Sequence, residues 1–188
     1  MGFGILLPRL LEKEGVSEKI VASKRGLWGV EDETAIRNTS TGREWEKVLS
    51  RYLRFLGLPV SDRDDTLHEK PSFGADLTCK DIRIHAKVCE SPEKYYGWVC
   101  QKAPGRTDTL LISEPSDKDF YALAANRGAE FEFISMCSAR EAYNRFSEAF
   151  REPEVFRHRG KKVILRPEFV LSLPMNLRWP FDVPLPRR

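Results

Sequence analysis

Apolar and polar residues alternate most clearly in one short stretch near the middle of the chain, ADLTCKDIRIHAKV, at residues 75–88. In its second half, one side of the alternation is formed by Ile82, Ile84, Ala86 and Val88. The other side carries Arg83, His85 and Lys87. A period of two is typical of a half-buried strand. Because Lys80-Asp81 separates it from a first, shorter apolar segment, the stretch predicts a β-hairpin that presents a histidine and a lysine side by side.

Helical spacing replaces this alternation just before the hairpin. Apolar residues recur three and four positions apart at Trp45, Val48, Leu49, Tyr52, Leu53 and Leu56. This spacing predicts the longest helix of the chain, with Thr41 as its N-cap and Gly57 at its end. Residues 58–60 then predict the start of a strand, and residues 62–72 a polar loop.

The elements predicted after the hairpin are shorter. Ser91-Pro92-Glu93 is typical of a helix start, although an edge strand at 96–101 is an alternative. The remaining predicted elements are a strand at 109–113, a helix capped by Ser116 with a face of Phe120, Leu123 and Ala124, a strand at 131–136, a helix capped by Ser138, and a hairpin around Arg159-Gly160. This order of elements predicts an α/β sandwich with a mixed sheet.

Length and composition fit one soluble domain with a substantial core, since the chain has 188 residues, of which 41% are hydrophobic and 31% charged. We expect an N-terminal extension at 1–40, an α/β domain at 41–170 and a proline-rich basic tail at 171–188 that packs irregularly over the body or a partner. No stretch is typical of a membrane span or a secretion signal, so we expect a cytoplasmic, intracellular protein.

The charge of the chain is uneven along its length. Its formal net charge is only +3, but residues 151–188 hold nine Lys and Arg against four acidic residues. A basic end suits a polyanionic partner, although a solvated surface explains it equally well. The four cysteines and three histidines show no spacing typical of a zinc site, so the cysteines are expected to be buried free thiols.

The hairpin supplies a candidate site. Asp76, His85 and Lys87 can share one face of the sheet, and Glu46 lies on the helix before them. Hydrolysis of a phosphodiester near neutral pH requires an activated water and positive charge at the developing negative charge. Carboxylates are the ligands that Mg²⁺ prefers, and a lysine two residues from a ligand can reach the attacking water or a phosphate oxygen.

These residues resemble the motifs of the PD-(D/E)XK nuclease superfamily, in which a helical glutamate precedes an aspartate on a hairpin strand and a D/E-x-K motif on the next strand. The similarity is greatest to its Mrr-type restriction endonuclease branch, where the last motif is often Q-x-K. GREWEKVLSRYLRFLG resembles the first helix and gives Glu46; FGADL gives Asp76; IHAKV gives Lys87. LLISEPSDKDFYALAANRGAEFEFIS resembles the strand-helix-strand that follows, so the similarity covers residues 42–150.

The resemblance implies a restriction-endonuclease-like α/β sandwich whose central mixed sheet is flanked by helices, and a metal-dependent DNA endonuclease. It implies Mg²⁺, or Mn²⁺ in its place, with Asp76, Glu46 and His85 as metal ligands. Lys87 completes the catalytic set with these three. Because cutting both strands commonly takes two active sites, a homodimer acting on DNA is expected. His85 departs from the family, which has Glu, Asp or Gln there, and Ala75 replaces a proline; a neutral imidazole brings no negative charge, so Mg²⁺ should bind more weakly.

Other interpretations remain open for every one of these residues. Glu46 can be an ordinary acid of the first helical turns, and the other three can be structural or solvated strand residues. A junction nuclease of the Holliday-junction-resolvase type, or a non-catalytic nucleic-acid-binding protein on the same fold, is an alternative function. The candidate phosphate contacts are Arg159, Lys161, Lys162, Lys102 and Gln101, although a solvated face explains the last two more simply.

Overall fold

The structure is a computed structural model, and it describes residues 4–10, 32–62, 75–89, 98–101, 115–145 and 162–184. The predicted helix start at 91–93 and the predicted strand at 109–113 therefore lie outside the described residues. Within them, the chain is α/β, with one six-stranded mixed sheet, a separate two-stranded sheet and a few helices. No helix in the described part is long and apolar enough to cross a membrane.

The long helix α1 spans Asp32–Phe55 and buries the predicted apolar face. It starts nine residues before the predicted cap, and Thr41, which was expected to cap it, is a buried residue inside it. The predicted end is confirmed, because Gly57 takes a positive φ of 79° and its N–H donates to the Arg54 carbonyl at 2.9 Å. A left-handed residue just beyond the last turn is the usual way to end a helix.

The main sheet has the strand order β1-β7-β6-β4-β3-β2. Its strands are β1 Ile5–Pro8, β2 Val60–Asp62, β3 Leu77–Cys79, β4 Ile82–Cys89, β6 Asp119–Asn126 and β7 Glu130–Ser138. Strands β2, β3 and β4 form an antiparallel meander, and Lys80, with a φ of 54°, makes the turn of the predicted β3–β4 hairpin. The hairpin prediction is confirmed.

Strand β6 is a correction to the sequence prediction, which placed a helix here. Residues 119–126 form a strand that pairs in parallel with β4 and antiparallel with β7. The misleading feature is Ser116, whose N–H donates to Asp119 Oδ2 at 2.9 Å while Asp119 N–H donates back to the Ser116 carbonyl at 3.1 Å. Reciprocal bonds of this kind also start helices, but here they close a tight turn that leads into a buried strand.

The remaining described elements surround this sheet. A second sheet pairs β5 Trp98–Gln101 with β8 Lys162–Leu165. The helix predicted to run on from Ser91 is therefore wrong at residues 98–101, where the edge-strand alternative is confirmed. The predicted helix after Ser138 is confirmed as α2, Ala139–Arg145. Three described elements went unpredicted: the strand β1 in the expected N-terminal extension, the helix α3 Pro167–Ser172 and a 3₁₀ turn at Met175–Leu177. The tail packs on the body, because Trp179 is buried and its indole N–H donates to the Val183 carbonyl at 2.6 Å.

Two apolar clusters pack on opposite faces of the sheet. The larger joins α1 to the face of β4 that carries Ile82 and Ile84, with Trp45, Phe131 and Phe133 fully buried at its centre. The smaller lies on the other face, where Leu123 and Cys137 meet residues of α2, β8 and α3. The expected buried thiols are confirmed for Cys79, Cys89 and Cys137. The apolar residues of β4 are thereby assigned a face, which also fixes the direction of their polar neighbours.

The first strand and α1 are joined by a buried ion pair. Arg9 donates from Nε to Glu44 Oε1 at 2.9 Å and pairs through Nη2 with the second carboxylate oxygen. The Leu10 N–H also donates to Glu44 at 3.0 Å, and the Arg9 guanidinium lies 5.0 Å from the Phe131 ring centroid. Glu44 is therefore a structural acid that ties β1 to the helix.

Candidate active site at the end of the β3–β4 hairpin

Asp76 lies one residue before strand β3 begins at Leu77. Its N–H donates to the Ile84 carbonyl at 2.9 Å, and its carboxylate oxygen Oδ2 accepts the Ala86 N–H at 2.8 Å. The side chain thus takes the place of a ladder bond, because Ala86 lies beyond the residues of β4 that pair with β3 and its N–H requires an acceptor. The two bonds join Asp76 to the backbone on either side of His85, at Ile84 and at Ala86, and so hold its carboxylate beside His85.

His85 and Lys87 project from the face of β4 opposite to the buried Ile84. The register places His85 against Tyr121 of β6, and the two rings have centroids 5.9 Å apart. Both His85 and Lys87 are half-buried, and the Asp76 and Lys87 charges both act on the imidazole. The structure therefore brings together three of the four predicted catalytic residues.

Asp119 is a functional candidate that the sequence analysis missed. It sits at the start of β6, and its side chain is only 10% exposed. Arg83 donates to both of its carboxylate oxygens, from Nε at 2.7 Å and from Nη2 at 2.6 Å. His85 Nε2 lies 3.4 Å from Asp119 Oδ1, so an Arg83–Asp119–His85 chain runs across two adjacent strands. Arg83 showed a signal in the sequence, since it precedes His85 by two residues on the same face.

Burial sets the protonation of this chain. It lowers the pKa of the His85 imidazole below its usual 6.5, and the Lys87 ammonium adds to this, while Asp76 and Asp119 oppose it. Burial also raises the pKa of Asp119, but hydrogen bonds from Arg83, Ser116 and His85 outweigh burial and hold it below the usual 3.8. At neutral pH the site therefore pairs an uncharged imidazole with an ionised carboxylate.

Glu46, the fourth predicted catalytic residue, lies in a different part of the fold. It is half-buried on α1, directly after the fully buried Trp45. Since α1 packs on the Ile84 face of the sheet, its helix lies across the sheet from His85 and Lys87. The strand register that joins the other three residues does not extend to Glu46.

The donor set on this face fits a hard divalent ion only if one protein carboxylate is enough. Asp76 offers that carboxylate and His85 an imidazole, whereas both oxygens of Asp119 accept hydrogen bonds from Arg83. No cluster of three or more His, Cys, Asp or Glu that could hold a metal occurs among the described residues. Mg²⁺ commonly keeps several waters and binds through one or two carboxylates plus substrate phosphates, which is compatible with Asp76 as the main ligand.

The predicted phosphate contacts are only partly described. Lys102, Arg159 and Lys161 lie outside the described residues. Gln101 and Lys162 end β5 and begin β8, and they are Cα partners in that two-stranded sheet. Two residues proposed for the same role from distant parts of the sequence are therefore adjacent in the fold.

A groove of about 440 Å³ opens elsewhere on the molecule. Phe120 and Trp179 line it, and Asp117, Glu141 and Asp182 contribute carboxylates to its rim. None of Asp76, His85 and Lys87 lines it. We place the candidate site at the hairpin because no histidine is among the described residues that line the groove.

Comparison with known proteins adds no relative. No protein-family model matches the chain, no curated protein matches it, and no solved structure matches it.

Proposed function

We propose that the protein is a metal-dependent DNA endonuclease of restriction type that hydrolyses phosphodiester bonds, with a variant H-x-K motif. One observation carries the proposal. The carboxylate of Asp76 is fixed by the Ala86 N–H at 2.8 Å, beside a strand that presents His85 and Lys87 on one face. The helix-hairpin order of α1, β3 and β4 supports the same resemblance, and the finer restriction-endonuclease-like fold is part of this proposal.

Each residue has a distinct role in the proposed reaction. Asp76 would hold Mg²⁺ or Mn²⁺, with His85 as a further ligand. The resemblance also assigns Glu46 to this ion, but α1 packs on the opposite face of the sheet, so Glu46 is not included in the site proposed here. A bound ion would supply an activated water and Lewis acidity at the phosphate. Lys87 donates to the negative charge that develops on the phosphate oxygens, and a preorganised donor of this kind is typically a large contribution to catalysis. The neutral His85 avoids repelling the ion.

A non-catalytic DNA-binding protein on the same fold is the second candidate, and one observation favours it. The family carboxylate is replaced by His85, and the additional carboxylate beside it, Asp119, has both oxygens bound by Arg83. The site then carries less negative charge than the resemblance implies. A junction nuclease of the resolvase type remains a variant of the leading proposal with a branched substrate.

The test is a digestion of supercoiled plasmid, linear duplex and a four-way junction with the purified full chain. Reactions contain Mg²⁺, Mn²⁺ or EDTA, and each is repeated with Lys87→Ala and with the control Lys47→Ala, which changes an exposed lysine on α1. We expect metal-dependent linearisation by wild type and by Lys47→Ala, and none by Lys87→Ala.

Each outcome selects a different function. Cleavage confined to the junction selects the resolvase variant. Intact DNA under all metals, together with a salt-sensitive shift in a gel assay, selects the binding protein. Cleavage that persists in EDTA, or that survives Lys87→Ala at the wild-type rate, overturns the proposed site.

A further inference from the structure

The chain of contacts behind His85 goes beyond the four residues that the resemblance supplies. Asp119 Oδ2 accepts both the Arg83 Nη2–H at 2.6 Å and the Ser116 N–H at 2.9 Å, and Oδ1 accepts the Arg83 Nε–H at 2.7 Å. A two-point guanidinium clamp leaves a carboxylate little freedom to rotate. Oδ1 is thereby held 3.4 Å from His85 Nε2.

This geometry decides which ring nitrogen carries the proton. An ionised carboxylate can only accept hydrogen bonds, and a neutral imidazole has one donor and one acceptor nitrogen. Because Oδ1 faces Nε2, the proton belongs on Nε2. The lone pair is then on Nδ1, which is the atom left to bind a metal ion or to accept a proton from water.

We propose that Asp119, clamped by Arg83, is the positioning residue of the site: it holds His85 as the Nε2–H tautomer and directs the Nδ1 lone pair to the reaction. The catalytic consequence rests on the proposed nuclease function, while the tautomer itself does not. Carboxylates commonly orient ligating histidines in this way, and their loss typically costs about 10- to 100-fold in metal affinity or activity.

The first measurement uses NMR of the ¹⁵N-labelled, metal-free full chain. Of the three histidine rings in the sequence, the His85 signals are those that disappear in His85→Gln. We expect a single Nε2–H tautomer whose ring proton exchanges slowly with water. In Asp119→Asn the ring proton should exchange faster, because an amide oxygen is a weaker acceptor than a carboxylate. Asp117→Asn is the matched control. It removes the same charge two residues before Asp119, and Asp117 pairs with Arg140 and not with the Arg83–His85 chain.

The second measurement uses single-turnover cleavage with Mn²⁺. Asp119→Asn should lower the rate about 10- to 100-fold while the dissociation constant for DNA stays within about twofold, and Asp117→Asn should leave both unchanged. This separates positioning from a general loss of folding, which would also reduce DNA binding.

The two measurements fail separately. If wild-type protein cleaves no DNA, the nuclease proposal fails, and the ring spectrum still decides the position of the proton. A proton on Nδ1 in wild type, or a ring exchange rate that Asp119→Asn leaves unchanged, overturns the positioning role even in an active enzyme. If Asp119→Asn does not fold, the wild-type spectrum still gives the tautomer. Arg83→Gln, a substitution of an exposed residue that removes the guanidinium from Asp119, then tests the positioning role through the exchange rate of the His85 ring proton.

Discussion

Two substitutions of Asp76 separate its structural role from its proposed catalytic one. In Asp76→Asn an oxygen remains to accept the Ala86 N–H, which the wild-type carboxylate binds at 2.8 Å. In Asp76→Ala that acceptor is lost. The two variants therefore differ in the hydrogen bond, although both lack the carboxylate charge that the proposed metal site needs.

The size of the effects follows from this one contact. A hydrogen bond to a charged group contributes about 1.5–3 kcal/mol, and water can replace part of it because Asp76 is half-buried. Asp76→Ala should therefore lower the free energy of unfolding by about 1–2 kcal/mol, or about 2–8 °C in Tm for a chain of this size. Asp76→Asn should lose less than about 1 kcal/mol. Both should lose at least about 100-fold in cleavage, since even indirect partners of metal ligands cost 10- to 100-fold.

Urea unfolding and plasmid cleavage are measured on the same preparations. Asp81→Asn is the control, because it changes an exposed turn acid in the same hairpin. DNA binding by gel shift should be retained in all variants, since removing a negative charge reduces repulsion from phosphate. Wild-type cleavage by Asp76→Asn would refute the metal-ligand role, and equal stability of Asn and Ala variants would refute the structural role.

Four further outcomes are expected. Lys87→Ala should slow cleavage by about 100-fold or more, while calorimetry shows unchanged metal affinity. Combined alanine replacement of Arg159, Lys161 and Lys162 should weaken DNA binding. The slope of the logarithm of the DNA binding constant against the logarithm of the salt concentration should fall by roughly two to three units, measured by fluorescence anisotropy on several DNA sequences. Gly57→Ala should destabilise by about 1–2 kcal/mol because φ is 79°, whereas Gly42→Ala, in open space within α1, should stabilise by about 0.5–1 kcal/mol in urea unfolding. The pKa of Asp119 in the folded protein lies below its usual 3.8, so the ionised carboxylate stabilises the fold above pH 3.8 and this stabilisation is lost as the pH falls through the folded pKa. The difference in free energy of unfolding between wild type and Asp119→Asn, measured in urea at several pH values, should therefore narrow below about pH 4.

The sequence predicted those elements in which apolar residues at regular spacing mark the buried face. The β3–β4 hairpin is visible in the sequence because Ile82 and Ile84 alternate with polar residues, and both are buried. The apolar half of α1 is visible for the same reason. Its first half is not, because it buries Thr39, Thr41 and Glu44 in place of apolar residues. Glu44 is compatible with that position because Arg9, 35 residues earlier, and the Leu10 N–H donate to its carboxylate, and such a pairing leaves no periodic signal.

Strand β6 shows the opposite failure, in which a local signal is present and misleads. Residues 120–125 are almost wholly apolar, and a short run of this kind does not distinguish a buried strand from a buried helix. The Ser116–Asp119 turn and three alanines favoured the helix. Pairing with β4 on one side and β7 on the other decides for the strand, because a central strand satisfies its backbone on both edges. This strand is also what brings Asp119 to His85, so the error in the fold prediction concealed a residue of the site.

The departure at residue 85 has a physical explanation in this arrangement. The resemblance calls for Glu, Asp or Gln there, but Asp119 Oδ1 lies 3.4 Å from the side chain at that position. A carboxylate at 85 would face that oxygen and also the Asp76 charge, and like charges at such separations destabilise the ionised form of both. An imidazole donates to Asp119 through one nitrogen and keeps a lone pair on the other. His85, Asp119 and Arg83 therefore form a consistent set, in which Asp119 is paired with Arg83 and accepts a hydrogen bond from the imidazole at residue 85.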